Sequence, residues 1–142
     1  MRLMLSILLV FAFGTACNST KNTMNKKHLE IVSATKQGFV KGMQQPDGKH
    51  AGMNYAVAFK MKEGVEILHL FINDRSIEFE VFEHDNQHHI TTTIYKDKTD
   101  NFRNTALPIV YEGEGLIQYK YKGKLYYNIV EKFETKQKVE GQ

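Results

Sequence analysis

Apolar and polar residues alternate with a period of two along most of the chain after residue 28, which is typical of β-strands with one buried face. The alternation is clearest in residues 55–61, 77–81 and 90–95, where apolar or β-branched residues occupy every second position. Short clusters of Gly, Asn and Asp separate such segments and predict tight turns. Because no segment sustains a helical period of 3.6, the pattern predicts an all-β domain.

We predict strands at residues 29–35, 55–61, 65–72, 77–81, 90–95, 116–121 and 125–132, with an edge strand or extended segment at 107–111. The nearly continuous apolar run in residues 65–72 predicts a central strand buried on both faces. Pro108 cannot donate a backbone hydrogen bond, so its segment belongs at an edge. Such short, regularly spaced strands predict a single antiparallel β-sandwich over residues 28–135, immunoglobulin-like in arrangement but without the Cys…Trp…Cys signature. A small closed barrel is the alternative, and residues 136–142 are expected to fray.

The last predicted hairpin has Lys122-Gly123 as its two-residue loop, which pairs Tyr119 with Tyr126. In this register Tyr119, Tyr121 and Tyr126 lie on one face of the hairpin. If that face is exposed, the three rings form a binding platform for a sugar or a protein. If it is buried, the rings belong to the core and only their hydroxyls reach water.

Residues 38–52 contain four glycines and a Pro-Asp-Gly sequence, and they predict a long loop. Loops on rigid sandwiches often carry recognition, and Phe39, Met43 and His50 are the side chains in this one that can grip a partner. The alternative is an ordered cover over the end of the sandwich.

Three histidines, His84, His88 and His89, surround a predicted turn at residues 85–86. Imidazole is a common ligand of zinc and copper, so these side chains are candidate metal ligands. Their spacing matches no established zinc pattern, and a polar hairpin tip is the alternative. His28 is expected to be solvated.

The first sixteen residues have the three parts of an export signal. Arg2 supplies a positive charge, residues 3–13 are apolar except for Ser6, and small residues at 14–16 precede Cys17. The apolar run is about half of the roughly 20 residues that a membrane-spanning helix needs. Cys17 is the only cysteine in the chain.

Thr15, Ala16 and Cys17 resemble the last three positions of the bacterial lipoprotein signal, whereas Gly14 departs from the aliphatic residue usual before them. The resemblance implies that residues 1–16 are removed and that the Cys17 thiol carries a diacylglyceryl group. An ordinary secretory signal cleaved after Ala16 is the alternative.

Residues 18–27 are polar and are predicted to form a flexible tether between the lipid and the domain. Asn18 is not the aspartate that retains enterobacterial lipoproteins at the inner membrane, so the resemblance implies an outer-membrane location in the cell envelope. Removing Arg2 lowers the formal charge from +3 to +2, a balance too small for a nucleic-acid-binding protein.

No G-x-S-x-G, P-loop or H-E-x-x-H motif is present. The sequence therefore predicts a lipid-anchored envelope protein that serves as a non-enzymatic binding or accessory module, without a cofactor and with a protein or glycan partner. It is similar to small lipoproteins of Bacteroidota-type bacteria. The alternatives are an inhibitor or immunity lipoprotein acting on a protein partner, and a metal-binding protein that uses the histidine turn.

Overall fold

A computed structural model describes residues 28–40, 51–96 and 101–140. Cys17, Met43 and His50 lie outside these residues. The strands are β1 (Leu29–Val40), β2 (Ala51–Met61), β3 (Glu66–Ile72), β4 (Arg75–Ile77), β5 (Glu80–His84), β6 (Gln87–Tyr95), β7 (Gly115–Tyr121), β8 (Lys124–Val130) and β9 (Glu134–Glu140). Within the described ranges there is no helix long and apolar enough to cross a membrane.

The strands form a five-stranded sheet in the order β5-β6-β2-β1-β9 and a four-stranded sheet in the order β4-β3-β7-β8. Neighbouring strands are antiparallel except β1 and β9, which are parallel. Without β9, the two orders correspond to strands A-B-E-D and C′-C-F-G of the immunoglobulin arrangement. The predicted β-sandwich is therefore confirmed, and the two sheets do not close into a barrel.

The main core lies between the sheets, where alternate residues of each strand point inward. Its largest fully buried side chains come from both sheets and from the chain that follows β8: Leu29, Phe59, Leu70, Ile72, Ile77, Ile90, Ile117, Tyr119 and Phe133. Burying each such side chain stabilises the fold by about 1.5–3 kcal/mol. With Cys17 as the single cysteine, packing takes the place that an intersheet disulfide has in antibody domains.

A second apolar cluster lies on the outer face of the four-stranded sheet. Phe71, Leu116 and Tyr127 point away from the main core but are buried. They are covered by residues 107–111, which we call the covering segment, through three of its side chains: Leu107, Ile109 and Tyr111. Burial of Leu70 on one face of β3 and of Phe71 on the other confirms that this central strand is buried on both sides.

The covering segment itself forms no strand. The predicted edge strand is therefore wrong, because the segment lies across a sheet face instead of adding to a sheet edge. Pro108 lacks the N–H that edge pairing would use, and the alternating apolar side chains on either side of it suit a flat apolar surface.

Three predicted boundaries need correction. Residues 77–81 do not form one strand, because the chain crosses between the sheets at 78–79 and divides β4 from β5. Residues 134–140, partly expected to fray, form β9 beside β1. The predicted loop at 38–52 is shorter, because β1 continues to Val40 and β2 already begins at Ala51.

Glu114 connects the end of the covering segment to the five-stranded sheet. Its carboxylate accepts a hydrogen bond from the Phe133 backbone N–H at 2.8 Å and pairs with the Lys36 ammonium at 3.2 Å. The bond from Phe133, followed by the smaller effect of Lys36, lowers the pKa of Glu114. The charged form of this carboxylate therefore helps to hold Phe133 in the core.

Candidate functional site

The tyrosine hairpin has the register predicted for it. Tyr119 pairs with Tyr126, and Lys122 and Gly123 take positive φ values of 50° and 79° at the loop. Its tyrosine face points into the sandwich, so Tyr119 is 0% exposed and stacks on Tyr126 at 5.5 Å between ring centroids. Burial, followed by the nearby Tyr126, raises the pKa of Tyr119 to about 12. Tyr119 therefore belongs to the core, and the hypothesis that it forms part of an open binding platform is wrong.

His28 is not solvated as expected. Its ring lies 4.3 Å from that of Tyr121 and 4.7 Å from that of Tyr126, measured between centroids. The imidazole closes the end of the sandwich at which the chain enters the domain. Tyr121 and Tyr126 remain partly exposed beside it, and ligand binding by these two stays a prediction.

The three histidines of the β5–β6 turn do not converge. His88 stacks on Phe59 at 5.7 Å on the inner side of the sheet, whereas His84 and His89 lie on the outer side with ring centroids 6.2 Å apart. This separation follows from strand geometry, since neighbouring residues point to opposite faces. Among the described residues, no group of three or more His, Cys, Asp or Glu side chains is arranged to hold a metal ion. The structure therefore does not form the predicted three-histidine site.

Phe39 lies in β1, in a row of paired residues that crosses three strands of the five-stranded sheet. Phe39 pairs with Gly52 of β2, and Gly52 pairs with Tyr95 of β6. The two rings meet edge to face at 6.1 Å. A side chain at position 52 would collide with the Ile94 carbonyl oxygen and lie 3.1 Å from the Phe39 ring. Glycine therefore allows the Phe39 ring to lie against the sheet.

A second aromatic row crosses the same face near the other end of β2. Phe82 of β5 pairs with His89 of β6, which pairs with Ala58 of β2. The Phe82 and His89 rings are stacked at 5.2 Å, and 47% of Phe82 is exposed. The two rows are six residues apart along β2, which corresponds to about 20 Å.

Small and polar side chains form the floor between the two aromatic rows. Register pairs Ala56 with Thr91 and Asn54 with Thr93, all on the outer face of the sheet. The Thr93 hydroxyl donates a hydrogen bond to the Asn54 side-chain oxygen at 2.7 Å. No large side chain rises from this floor, so its hydroxyl and amide side chains can meet a flat ligand.

A polar wall stands beside the floor and borders an open cavity of about 650 Å³. The wall contains an ion pair between Arg103 and Glu78, whose charged atoms are 3.1 Å apart. It also contains Asn101, whose side-chain amide donates a hydrogen bond to the Thr93 carbonyl oxygen. Glu80 at the start of β5 also lines the cavity. The arrangement offers stacking surfaces at its ends and hydrogen-bonding groups along its length.

Sequence reasoning identified Phe39 but assigned it to a loop, and it considered His89 only as a metal ligand. It missed Phe82 and Tyr95. The available signal was a run of small outward-facing residues at 54, 56 and 58 that matched another at 91 and 93. The alternation could not show which strands are neighbours. The two runs form one floor only because β2 pairs with β6.

Comparisons of the sequence with protein-family models and curated proteins, and of the structure with solved structures, gave no match. The immunoglobulin-like strand order is thus a statement about architecture alone, and it carries no activity with it. The features of this chain that bear on function are the outer face of the five-stranded sheet and the N-terminal sequence.

Proposed function

We propose that this protein is an exported lipoprotein, anchored by acyl chains on Cys17, whose β-sandwich is a non-enzymatic glycan-binding module. The leader in residues 1–16 and the single cysteine directly after it support the anchor. Residues 18–27 supply the tether, and Asn18 is consistent with the outer membrane of a bacterial envelope. Two or three acyl chains on one sulfur make attachment effectively permanent.

The observation that carries the binding proposal is the pair of aromatic rows, about 20 Å apart, on either side of a floor of small residues. Sugar rings have apolar C–H faces that stack on aromatic rings and hydroxyl groups that need hydrogen-bond partners. The aromatic rows at Tyr95 and Phe82 supply the stacking surfaces. The hydrogen-bond partners come from Thr91, Asn54 and the polar wall at Arg103. An extended glycan that lies along β2 fits both requirements.

Binding is tested with a panel of soluble bacterial and plant polysaccharides by affinity electrophoresis and calorimetry. We expect Tyr95→Ala and Phe82→Ala each to weaken binding by roughly tenfold, since one aromatic contact contributes about 0.5–1.5 kcal/mol beyond its buried area. Leu125→Ala is the matched control, because Leu125 is 45% exposed but lies on β8 of the other sheet. Equal loss in all three variants, or no retention by any polysaccharide, would contradict the glycan proposal.

The anchor is tested separately by detergent phase partition and by mass spectrometry of the mature N-terminal peptide. We expect the parent to enter the detergent phase with a diacylglyceryl-modified Cys17, and Cys17→Ser to remain in the aqueous phase. Asn18→Ser serves as the control, since it keeps the thiol. An unmodified thiol on the processed chain would refute the anchor and leave the binding result unaffected.

A further inference from the structure

A groove of about 710 Å³ opens between the edges of the two sheets. Residues 30–34 of β1 line one side, and residues 127–132 of β8 and the chain after it line the other. Consecutive residues line each wall, although the alternate residues of a strand point to opposite faces. The groove is therefore bounded by strand edges and not by sheet faces.

Both edges lack a neighbouring strand in the described part of the chain. β8 pairs with β7 on one side only, and β9 joins β1 from Thr35 onward, which leaves residues 29–34 paired with β2 alone. One side-chain link crosses the groove, from the Asn128 amide to the Leu29 carbonyl oxygen at 2.6 Å. Unpaired edges present backbone N–H and C=O groups that another strand can use.

We propose that this groove is a binding site for an extended, basic peptide segment of a partner protein, which adds as a β-strand to the free edge of β1 and faces β8 across the groove. Residues 30–34 correspond to about 17 Å of strand, so a segment of roughly five residues fills the edge. The added strand would continue the line of β9 alongside β1. Main-chain hydrogen bonds would give affinity, and side chains would give selectivity.

The charges at the groove indicate the chemistry of the segment. Three carboxylates line it, from Glu30, Glu112 and Glu131, against one ammonium from Lys132. None of the three carboxylates forms an ion pair among the residues that the structure describes. Lysine or arginine on the incoming strand would complement them.

Apolar side chains line the same groove. A bulge in β1 at Val32 leaves this side chain 48% exposed, and Ile31 and Ile129 lie beside the opening. A peptide with alternating basic and apolar residues matches this combination, because one set meets the carboxylates and the other meets the apolar wall. The groove lies away from the outer face of the five-stranded sheet, so this inference does not depend on glycan binding.

A second copy of the chain is the alternative occupant of the groove. The five-stranded sheet has two outer strands, and one of them, β5, carries Glu80 and Glu83, whose charge has the same sign as that of the groove. Like charges across an interface disfavour association by this edge. The other outer strand, β9, carries Lys136 and Lys138 between glutamates at both of its ends. Pairing with a second copy is therefore an alternative outcome of the test.

The probe is an acetylated seven-residue peptide, Lys-Val-Lys-Val-Lys-Val-Lys, added to the full processed chain in detergent micelles. Amide hydrogen exchange by NMR is the readout. We expect slower exchange in residues 30–34 and 127–131 on binding. A peptide of the same sequence with alternate N-methylated amides keeps its charge but cannot form the ladder, and it should give no protection.

Charge is tested with Glu30→Lys combined with Glu131→Lys, which should weaken peptide binding by roughly tenfold. Glu63→Lys combined with Glu66→Lys is the matched control, because it changes net charge equally at exposed residues away from the groove. Thermal unfolding of both double variants shows that each remains folded.

Protection confined to the two edges, loss on N-methylation and selective weakening by the groove variant together support the proposal. Equal binding of the N-methylated peptide would overturn it, since the attraction would then be charge alone. Protection elsewhere, no binding at millimolar peptide, or edge protection that appears only as the protein dimerises would also overturn it.

Discussion

The outer faces of the two sheets are built in opposite ways. The four-stranded sheet places large apolar side chains outward, such as Phe71 and Leu116, and the covering segment buries them. The five-stranded sheet places small and polar side chains outward, such as Ala56 and Thr91, and its rings stand at the two ends of the face. The first face is covered by the chain itself, whereas no segment among the described residues covers the second.

This difference separates aromatic residues that stabilise the fold from those proposed here to bind a ligand. An outward aromatic ring beneath another segment contributes its full burial to stability. An outward ring on an otherwise flat, polar face contributes little to the fold, because much of its surface still contacts water. Phe71 at 0% exposure and Phe82 at 47% represent the two cases in one molecule.

Phe71→Ala on the covered face should cause the largest loss of stability. Removing the fully buried ring leaves a cavity beneath the covering segment, and we expect the free energy of unfolding to fall by about 3–5 kcal/mol. Urea denaturation followed by tyrosine fluorescence measures it. Phe82→Ala on the open face is the paired variant and should cost less than about 1 kcal/mol. If the two losses are equal, the distinction between the faces fails.

Gly113→Ala should have the next largest effect, because this residue brings the chain back from the covering segment to β7. Gly113 has φ of 152°, and an added Cβ would lie 2.7 Å from Ile129 and 2.9 Å from the Val130 carbonyl oxygen. We expect a loss of about 2–4 kcal/mol from backbone strain and steric overlap.

Gly123→Ala is the control for the backbone alone. Gly123 also has positive φ, at 79°, but no atom lies within 4 Å of an added Cβ. Its loss should be about 1 kcal/mol. Urea unfolding of both variants measures the two losses. If Gly113→Ala is no less stable than Gly123→Ala, the covering segment can move aside to make room for the added Cβ.

The smallest expected effect is a pH dependence that arises on the covered face. Burial, and next the negative charge of Asp74, raise the pKa of Tyr111 to about 12. Its folded pKa thus exceeds the unfolded value of about 10. Its stabilising contribution is complete below about pH 10 and declines as the pH rises towards about 12.

Urea unfolding between pH 8 and pH 11.5 measures this decline. Tyr111→Phe should remove part of it, while Tyr119 continues to contribute in the same range. Asp74→Asn is a suitable variant because asparagine tolerates the φ of 68° at this position. It should return the pKa of Tyr111 only partly towards its ordinary value, because burial is the larger cause of the increase. An unchanged alkaline profile in Tyr111→Phe would be inconsistent with this account.

Local signals in the sequence predicted local structure well. The loop at Lys122-Gly123 predicted the register of the β7–β8 hairpin, because a two-residue turn determines every pair that follows it. Alternation identified the sandwich, and its strand order agrees with the immunoglobulin arrangement. These features depend on neighbours in sequence, and here the pattern was sufficient.

Features that depend on distant neighbours were missed. The alternation at 77–81 continues through a crossing between sheets, so periodicity did not reveal the break. β9 is polar because it is an edge strand, and its polarity suggested fraying. The proposed binding face needs β5, β6, β2 and β1 in one order before its two aromatic rows exist.

The position of β1 has a mechanical consequence under the proposed anchoring at Cys17. Tension applied at residue 28 acts along β1, while the hydrogen bonds to β2, and from Thr35 onward to β9, lie across that direction. These bonds share the load and must break together, unlike those of a hairpin peeled open one pair at a time. The strand next to the entry point is thus loaded in shear, the geometry in which a β-sheet resists pulling best.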